Sequence, residues 1–237
     1  MPSAGWRLSC FYAVVGKVAV IQIAPALELA ILFVAMPLAY RFSPWRIPPL
    51  PLLWVVTAYA WLQLLRDVHF ERAKLWNLPP LPAHFGSILT IFAVVAAILS
   101  LGVWLFAPNL LFGFPRQHPI LYVVVMLAYP VLSVYPQALI YRAFFFQRYA
   151  SLFPGNWTMI LASATAFAFL HIVFRNSLAV AFTFAGGLLF AFRYAQTGSL
   201  ATTAFEHALY GCWLFTLGLG QYFYHGTIAS IGAAIRR

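Results

Sequence analysis

The chain is poor in charge, and poorest in acid. Only 8% of its 237 residues are charged, and just four are carboxylates: Glu28, Asp67, Glu71 and Glu206. Cysteine is scarce too. Cys10 and Cys212 are too far apart in sequence for a disulfide framework or a CxxC metal knuckle, and read as two free thiols. The 14 Lys and Arg give a net charge of +10, but they stand singly between apolar runs rather than in clusters. They therefore read as interface anchors and topology signals, with no nucleic-acid partner. No repeat, low-complexity tract or linker divides the sequence, so residues 1–237 read as a single membrane domain. Lys17 interrupts the first apolar run and no small-residue cleavage site follows. A removable signal peptide is therefore not expected, and the first span does the targeting.

What is abundant is oil. Apolar residues make up 64% of the chain, and several runs approach the roughly 20 residues needed to cross about 30 Å of hydrocarbon. The runs are continuous rather than alternating, which favours helices over a membrane β-barrel. The expected fold is an all-α polytopic bundle of about seven spans, a multi-pass integral membrane protein. The spans are placed near Val18 to Tyr40, Pro48 to Leu65, Phe85 to Phe106, Ile120 to Phe146, Trp157 to Phe174, Ser177 to Tyr194 and Ser199 to Gly218. Between the second and third, the mixed charges and aromatics of Arg66 to Trp76 suit a surface helix at the headgroups, stopped by Pro79, Pro80 and Pro82. Lys and Arg are nearly even on the two sides, so orientation stays open.

Trp6, Trp45, Trp54, Trp61 and Trp76, with Tyr222 and Tyr224, are expected to mark headgroup depth. His69, His84, His118 and His225 are expected in solvated or interfacial positions. Ala181, Ala185, Gly187 and Ala191 form a run of small residues that would let helices approach closely.

The N-terminal spans carry few polar residues, Glu28 being the main exception. From Pro130 onward nearly every span holds something costly to bury, so function is expected in the C-terminal half. Arg142, in the fourth run, needs an anionic or carbonyl partner if it is deep, the alternative being that it snorkels to the interface with Arg148; Pro130 and Pro136 just before it loosen the helix and can free carbonyls. His171 and Phe167, four apart, share a helix face. Glu206 and His207 are adjacent, about 100° apart around one helix, and a carboxylate with an imidazole in one span is hard to explain as packing.

These residues resemble the CAAX protease and bacteriocin-processing (CPBP) family of intramembrane endopeptidases. That family's pattern is a glutamate pair followed by three residues and Arg, then Phe-x-x-x-His, then His-x-x-x-Asn, on successive membrane helices. Arg142 matches the end of the first motif, Phe167 and His171 the second, and His207 opens the third. A Gly-Ser step, Gly198-Ser199, precedes the third as well. The resemblance spans about 130–219. It implies hydrolysis of peptide bonds in membrane-anchored protein or peptide substrates, with a glutamate and the first histidine activating water and the second histidine and Asn stabilising the oxyanion.

Two departures matter. Gln137 and Ala138 stand where the family has its glutamates, and Gly211 where it has Asn. Gln137 can orient a water but cannot take its proton. Charge balance then suggests that Glu206 replaces a missing glutamate, as the partner of Arg142 or the base beside His171. The candidate catalytic set is His171, His207, Glu206, Arg142 and Gln137. Two histidines and a carboxylate could also hold zinc, although no His-Glu-x-x-His spacing supports it; no cofactor is expected. The alternative function is a catalytically inactive relative that binds a transmembrane or lipidated segment as a membrane chaperone or scaffold.

Overall fold

The computed structural model describes residues 23–44 and 48–223. Among the described residues each long apolar run is helical and no strand forms, as a chain in hydrocarbon requires to satisfy its own N–H and C=O groups. The long helices are α1 (Ile23–Phe42), α2 (Pro49–Arg66), α3 (Pro80–Phe106), α4 (Pro119–Arg148), α5 (Asn156–Leu170), α6 (Ser177–Thr197) and α7 (Leu200–Thr216). Among the described residues five segments are long and apolar enough to cross a membrane: α1, Arg72–Phe106 with α3, α4, Asn156–Phe174 with α5, and α6. The other two runs also form helices, α2 of 18 residues and α7 of 17. At 1.5 Å per residue they are about 27 and 26 Å long, slightly short of the ~30 Å core.

The solvent is legible in what is hidden. Val55, Val94, Ile98, Leu105, Ile120 and Leu127 lie on the outside, whereas Arg142, Ser163, His171, Arg193, Glu206 and His207 are buried. A water-soluble bundle would invert this arrangement. Hydrocarbon rewards an apolar exterior and drives ionisable groups inward to partners.

Prolines open helices here. Pro49, Pro80 and Pro119 occupy first-turn positions, where the missing N–H costs no hydrogen bond. Pro80 and Pro82 therefore begin α3 rather than stop a preceding helix, and α3 starts earlier than its apolar run suggests. The expected surface helix over Arg66 to Trp76 is replaced by a turn and a short 3₁₀ segment, Arg72–Leu75. Phe70 and Leu75 point into the core and Val68 outward; the apolar residues are too irregularly spaced for one amphipathic face. Trp6, Trp45, Tyr224, His225, Cys10 and the start of the first span lie outside the described residues.

Two features position the C-terminal half. First, α4 is locally unwound into π-helical stretches at Pro130–Val134 and Leu139–Phe144, the latter buried throughout. This releases the regular ladder, and the Tyr141 carbonyl takes side-chain donors instead. Second, α5 and α6 approach closely because Gly187 faces Ala164: a Cβ at 187 would lie 3.1 Å from the Ala164 Cα. The run of small residues does not act as one stripe. Gly187 and Ala191 are buried while Ala181 and Ala185 are exposed, since Ala185 and Gly187 lie about 200° apart around the helix.

The α6–α7 connection is a tight hairpin. Gly198, at φ 57°, ends α6 in the left-handed region and donates its N–H to the Tyr194 carbonyl at 2.8 Å. Ser199 then caps α7, accepting the Thr202 N–H at 3.1 Å and donating its hydroxyl to the Asn77 carbonyl.

Candidate active site

Phe167 is the centre of the site. Its ring lies edge-to-face with His171 at 4.8 Å and with His207 at 5.6 Å, and the Arg142 guanidinium sits 5.3 Å from its centroid. Helices α4, α5 and α7 thus each bring one expected residue to a single aromatic platform.

Arg142 needs no carboxylate. One terminal nitrogen donates to the Tyr141 carbonyl at 3.1 Å and to the Ser163 hydroxyl, and the other donates to the Gly187 carbonyl at 3.3 Å. Ser163 donates its own hydroxyl hydrogen bond to the Tyr141 carbonyl at 2.7 Å. Carbonyl dipoles and the Phe167 π-face together stabilise the buried cation. The Gly187 carbonyl is within reach because α5 and α6 pack so closely there.

His171 begins the 3₁₀ turn His171–Phe174 that ends α5. Its Nδ1 lies 2.7 Å from the Phe167 carbonyl. A carbonyl only accepts, so Nδ1 carries the proton, and the neutral ring keeps its lone pair on Nε2. His207 is held by rings, stacked on Phe190 at 4.5 Å and edge-on to Phe167. No described residue hydrogen-bonds its imidazole, which leaves its nitrogens available to a substrate or water.

The remaining two expected site residues point elsewhere. Gln137 donates its amide to Ser133 Oγ at 2.7 Å, one turn earlier on α4. Glu206 is fully buried but meets neither Arg142 nor His171. Its two oxygens accept from Arg193, Oε2 from Nε at 2.9 Å and Oε1 from Nη2 at 3.2 Å. Arg193 also donates to half-buried His84 Nδ1 at 3.1 Å and to exposed Ser87 Oγ at 3.3 Å, so the network joins the rim of α3 to the buried ion pair of α6 and α7. The expectation that Glu206 replaces a motif-one glutamate is thereby corrected: it neutralises Arg193. The sequence held a signal for this pair. Positions 193 and 206 lie five and seven residues from the Gly198-Ser199 turn, and in an antiparallel hairpin positions so close to the turn come within reach of each other. Among the described residues no three His, Cys, Asp or Glu side chains gather as a metal-ligand set would.

A cavity of about 930 Å³ lies along another face of α7, lined by Trp54, Trp61, Trp76, Tyr135, Phe205 and Trp213 among others. Trp54, Trp61 and Trp76 thus line one open groove, with Trp54 and Trp76 exposed, and Trp54 donates its indole N–H to the Leu132 carbonyl at 3.0 Å.

Residues 119–213 match the family model described as type II CAAX prenyl endopeptidase, Rce1-like. The matched stretch runs from the start of α4 into α7 and contains Arg142, Phe167, His171 and His207, so the resemblance to CAAX proteases of the CPBP family holds over residues 119–213, which include these four positions. Neither curated proteins nor solved structures yield a match to the chain.

Proposed function

We propose that the protein is an intramembrane endopeptidase that cleaves a peptide bond close to the lipid anchor of a membrane-bound substrate, with a prenylated peptide as the substrate class. The observation that carries this reading is the His171 ring, held as the Nδ1–H tautomer by the Phe167 carbonyl with His207 on the same aromatic platform. A neutral imidazole with a free Nε2 lone pair is the form a general base needs. Water adds its oxygen to the scissile carbonyl carbon and gives its proton to His171 Nε2, while the carbonyl π pair moves onto oxygen. His207 donates to that oxygen. The C–N bond then breaks as His171 returns the proton to the leaving amine. Arg142, behind Phe167, supplies a fixed positive charge that favours the anionic intermediate. Glu206 and Gln137 take no part in the transfer. The 930 Å³ apolar cavity beside α7 has the size and lining of a lipid-chain pocket.

A specific observation favours a second reading, a substrate-holding scaffold without catalysis: no carboxylate accompanies His171, since Ala138 has none and Glu206 is held by Arg193. The two readings separate in liposomes containing the purified protein and a farnesylated peptide with a fluorophore and quencher flanking the bond next to the modified cysteine. The endopeptidase reading expects hydrolysis by the parent and a loss of about 10²- to 10⁴-fold in His171→Ala. Binding of the peptide without hydrolysis, or equal hydrolysis by parent and His171→Ala, overturns it.

A further inference from the structure

Gly211 lies four residues after His207 and is buried in the middle of α7. Glycine there costs about 1 kcal/mol relative to alanine in helix propensity, so its use needs a steric reason. The structure supplies one. A Cβ at 211 would overlap the phenol of Tyr129, its Cζ lying only 2.6 Å away. The end of the Tyr129 side chain, reaching over from α4, fills the volume that any side chain at 211 would occupy.

Three further observations bear on what the phenol does there. Positions 207 and 211 share one face of α7, with Cβ positions about 5–6 Å apart, so the Tyr129 hydroxyl sits one turn from the His207 attachment point. The Phe215 ring packs against Tyr129 at 5.1 Å, 72° from parallel, and fixes the plane of the phenol. No described residue hydrogen-bonds the hydroxyl. A phenol is neutral at pH 7 and can donate its proton.

Resting on the endopeptidase reading above, we propose that Tyr129 is a catalytic residue. Its hydroxyl acts with His207 as the second donor to the oxygen that becomes negative when water adds to the scissile carbonyl. No atom is transferred from the phenol; it lends a hydrogen bond and keeps its proton. Gly211 is the counterpart of this arrangement, leaving the room that the ring takes.

The test uses full-length protein in liposomes and the farnesylated fluorogenic peptide. Tyr129→Phe keeps the ring and its contact with Phe215 but removes the donor. The expected result is a fall of about 10²-fold in kcat, with KM and the melting temperature at parent values. A second variant pair separates donor from packing: Tyr129→Ala combined with Gly211→Asn returns an amide donor to the vacated space and should recover rate over Tyr129→Ala alone. Parent kcat in Tyr129→Phe, with His171→Ala inactive, overturns the role of Tyr129 and leaves the endopeptidase reading standing. Absence of hydrolysis by the parent overturns both.

Discussion

Replacing Glu206 by leucine asks whether this acid serves the reaction or the fold. Arg193 and Glu206 are joined by two hydrogen bonds of 2.9 and 3.2 Å, with side chains 5% and 0% exposed. Water cannot screen the pair, so removing one partner leaves an uncompensated charge, a loss of about 3–5 kcal/mol. His84 and Ser87 remain as neutral acceptors for Arg193 and place the expected loss at the lower end of that range. At about 3 kcal/mol, and about 2–4 °C per kcal/mol for a chain of this size, Glu206→Leu should melt about 6–12 °C below the parent in detergent. The double variant R193M/E206L removes both charges and leaves His84 and Ser87 on the more accessible side of the network. It should recover most of the loss, since replacing a buried ion pair by apolar residues is often neutral or stabilising. Hydrolysis of the lipidated peptide should return with it. Equal melting temperatures for the single and double variants would refute the ion-pair argument. A stable double variant lacking hydrolysis, while Arg193→Met alone hydrolyses at the parent rate, would return Glu206 to the reaction.

Gly187→Val is expected to destabilise by about 1–3 kcal/mol, because its Cβ would meet the Ala164 backbone and side chain at 3.1–3.3 Å; it also moves the carbonyl that Arg142 uses, so hydrolysis should fall together with the melting temperature, and a variant with both unchanged contradicts the close α5–α6 approach. The hydrogen bond from Gln147, and then the His69 backbone N–H, hold the Asp67 carboxyl below the usual carboxylate range. Its stabilising contribution is thus fully present above about pH 4, the unfolded value, and disappears as pH falls through the lower folded value. The difference in melting temperature between parent and Asp67→Asn should be constant from pH 7 to about pH 5 and shrink below about pH 4; a difference that grows on acidification contradicts this.

Helix class and position were readable because hydrocarbon imposes a long apolar run on any segment that spans it. Each run expected from the sequence became a helix over its described part, including α2 and α7, whose 18 and 17 residues sit at the lower edge of spanning length. The segment Arg66 to Trp76 was misread because mixed charge and aromatic content resemble an amphipathic helix, whereas Phe70 and Leu75 are anchored individually. Phe167 and His171 were legible as a pair from their spacing of four. That Phe167 also carries His207 and Arg142 required helices α4 and α7 to be in place. Glu206 was assigned to the wrong arginine because charge balance counts ions and not directions. It meets Arg193 of α6, while its neighbour His207 packs between Phe190 of α6 and Phe167 of α5.

The apolar solvent, the helical class and the costly polar residues His171, His207 and Arg142 of the C-terminal half are legible without the fold. Composition and short-range spacing encode these properties without reference to a partner helix. The partnerships exist only once the helices pack: carbonyls and an aromatic face for Arg142, Arg193 for Glu206, Ser133 for Gln137, and the Tyr129 phenol for the space beside Gly211. Scarcity of acid gives the physical reason. With four carboxylates against fourteen basic side chains, not every buried cation meets an anion: Arg193 takes Glu206, and Arg142 is left to backbone dipoles and a ring. Those groups exist at every position in the sequence and acquire a role only when helices meet.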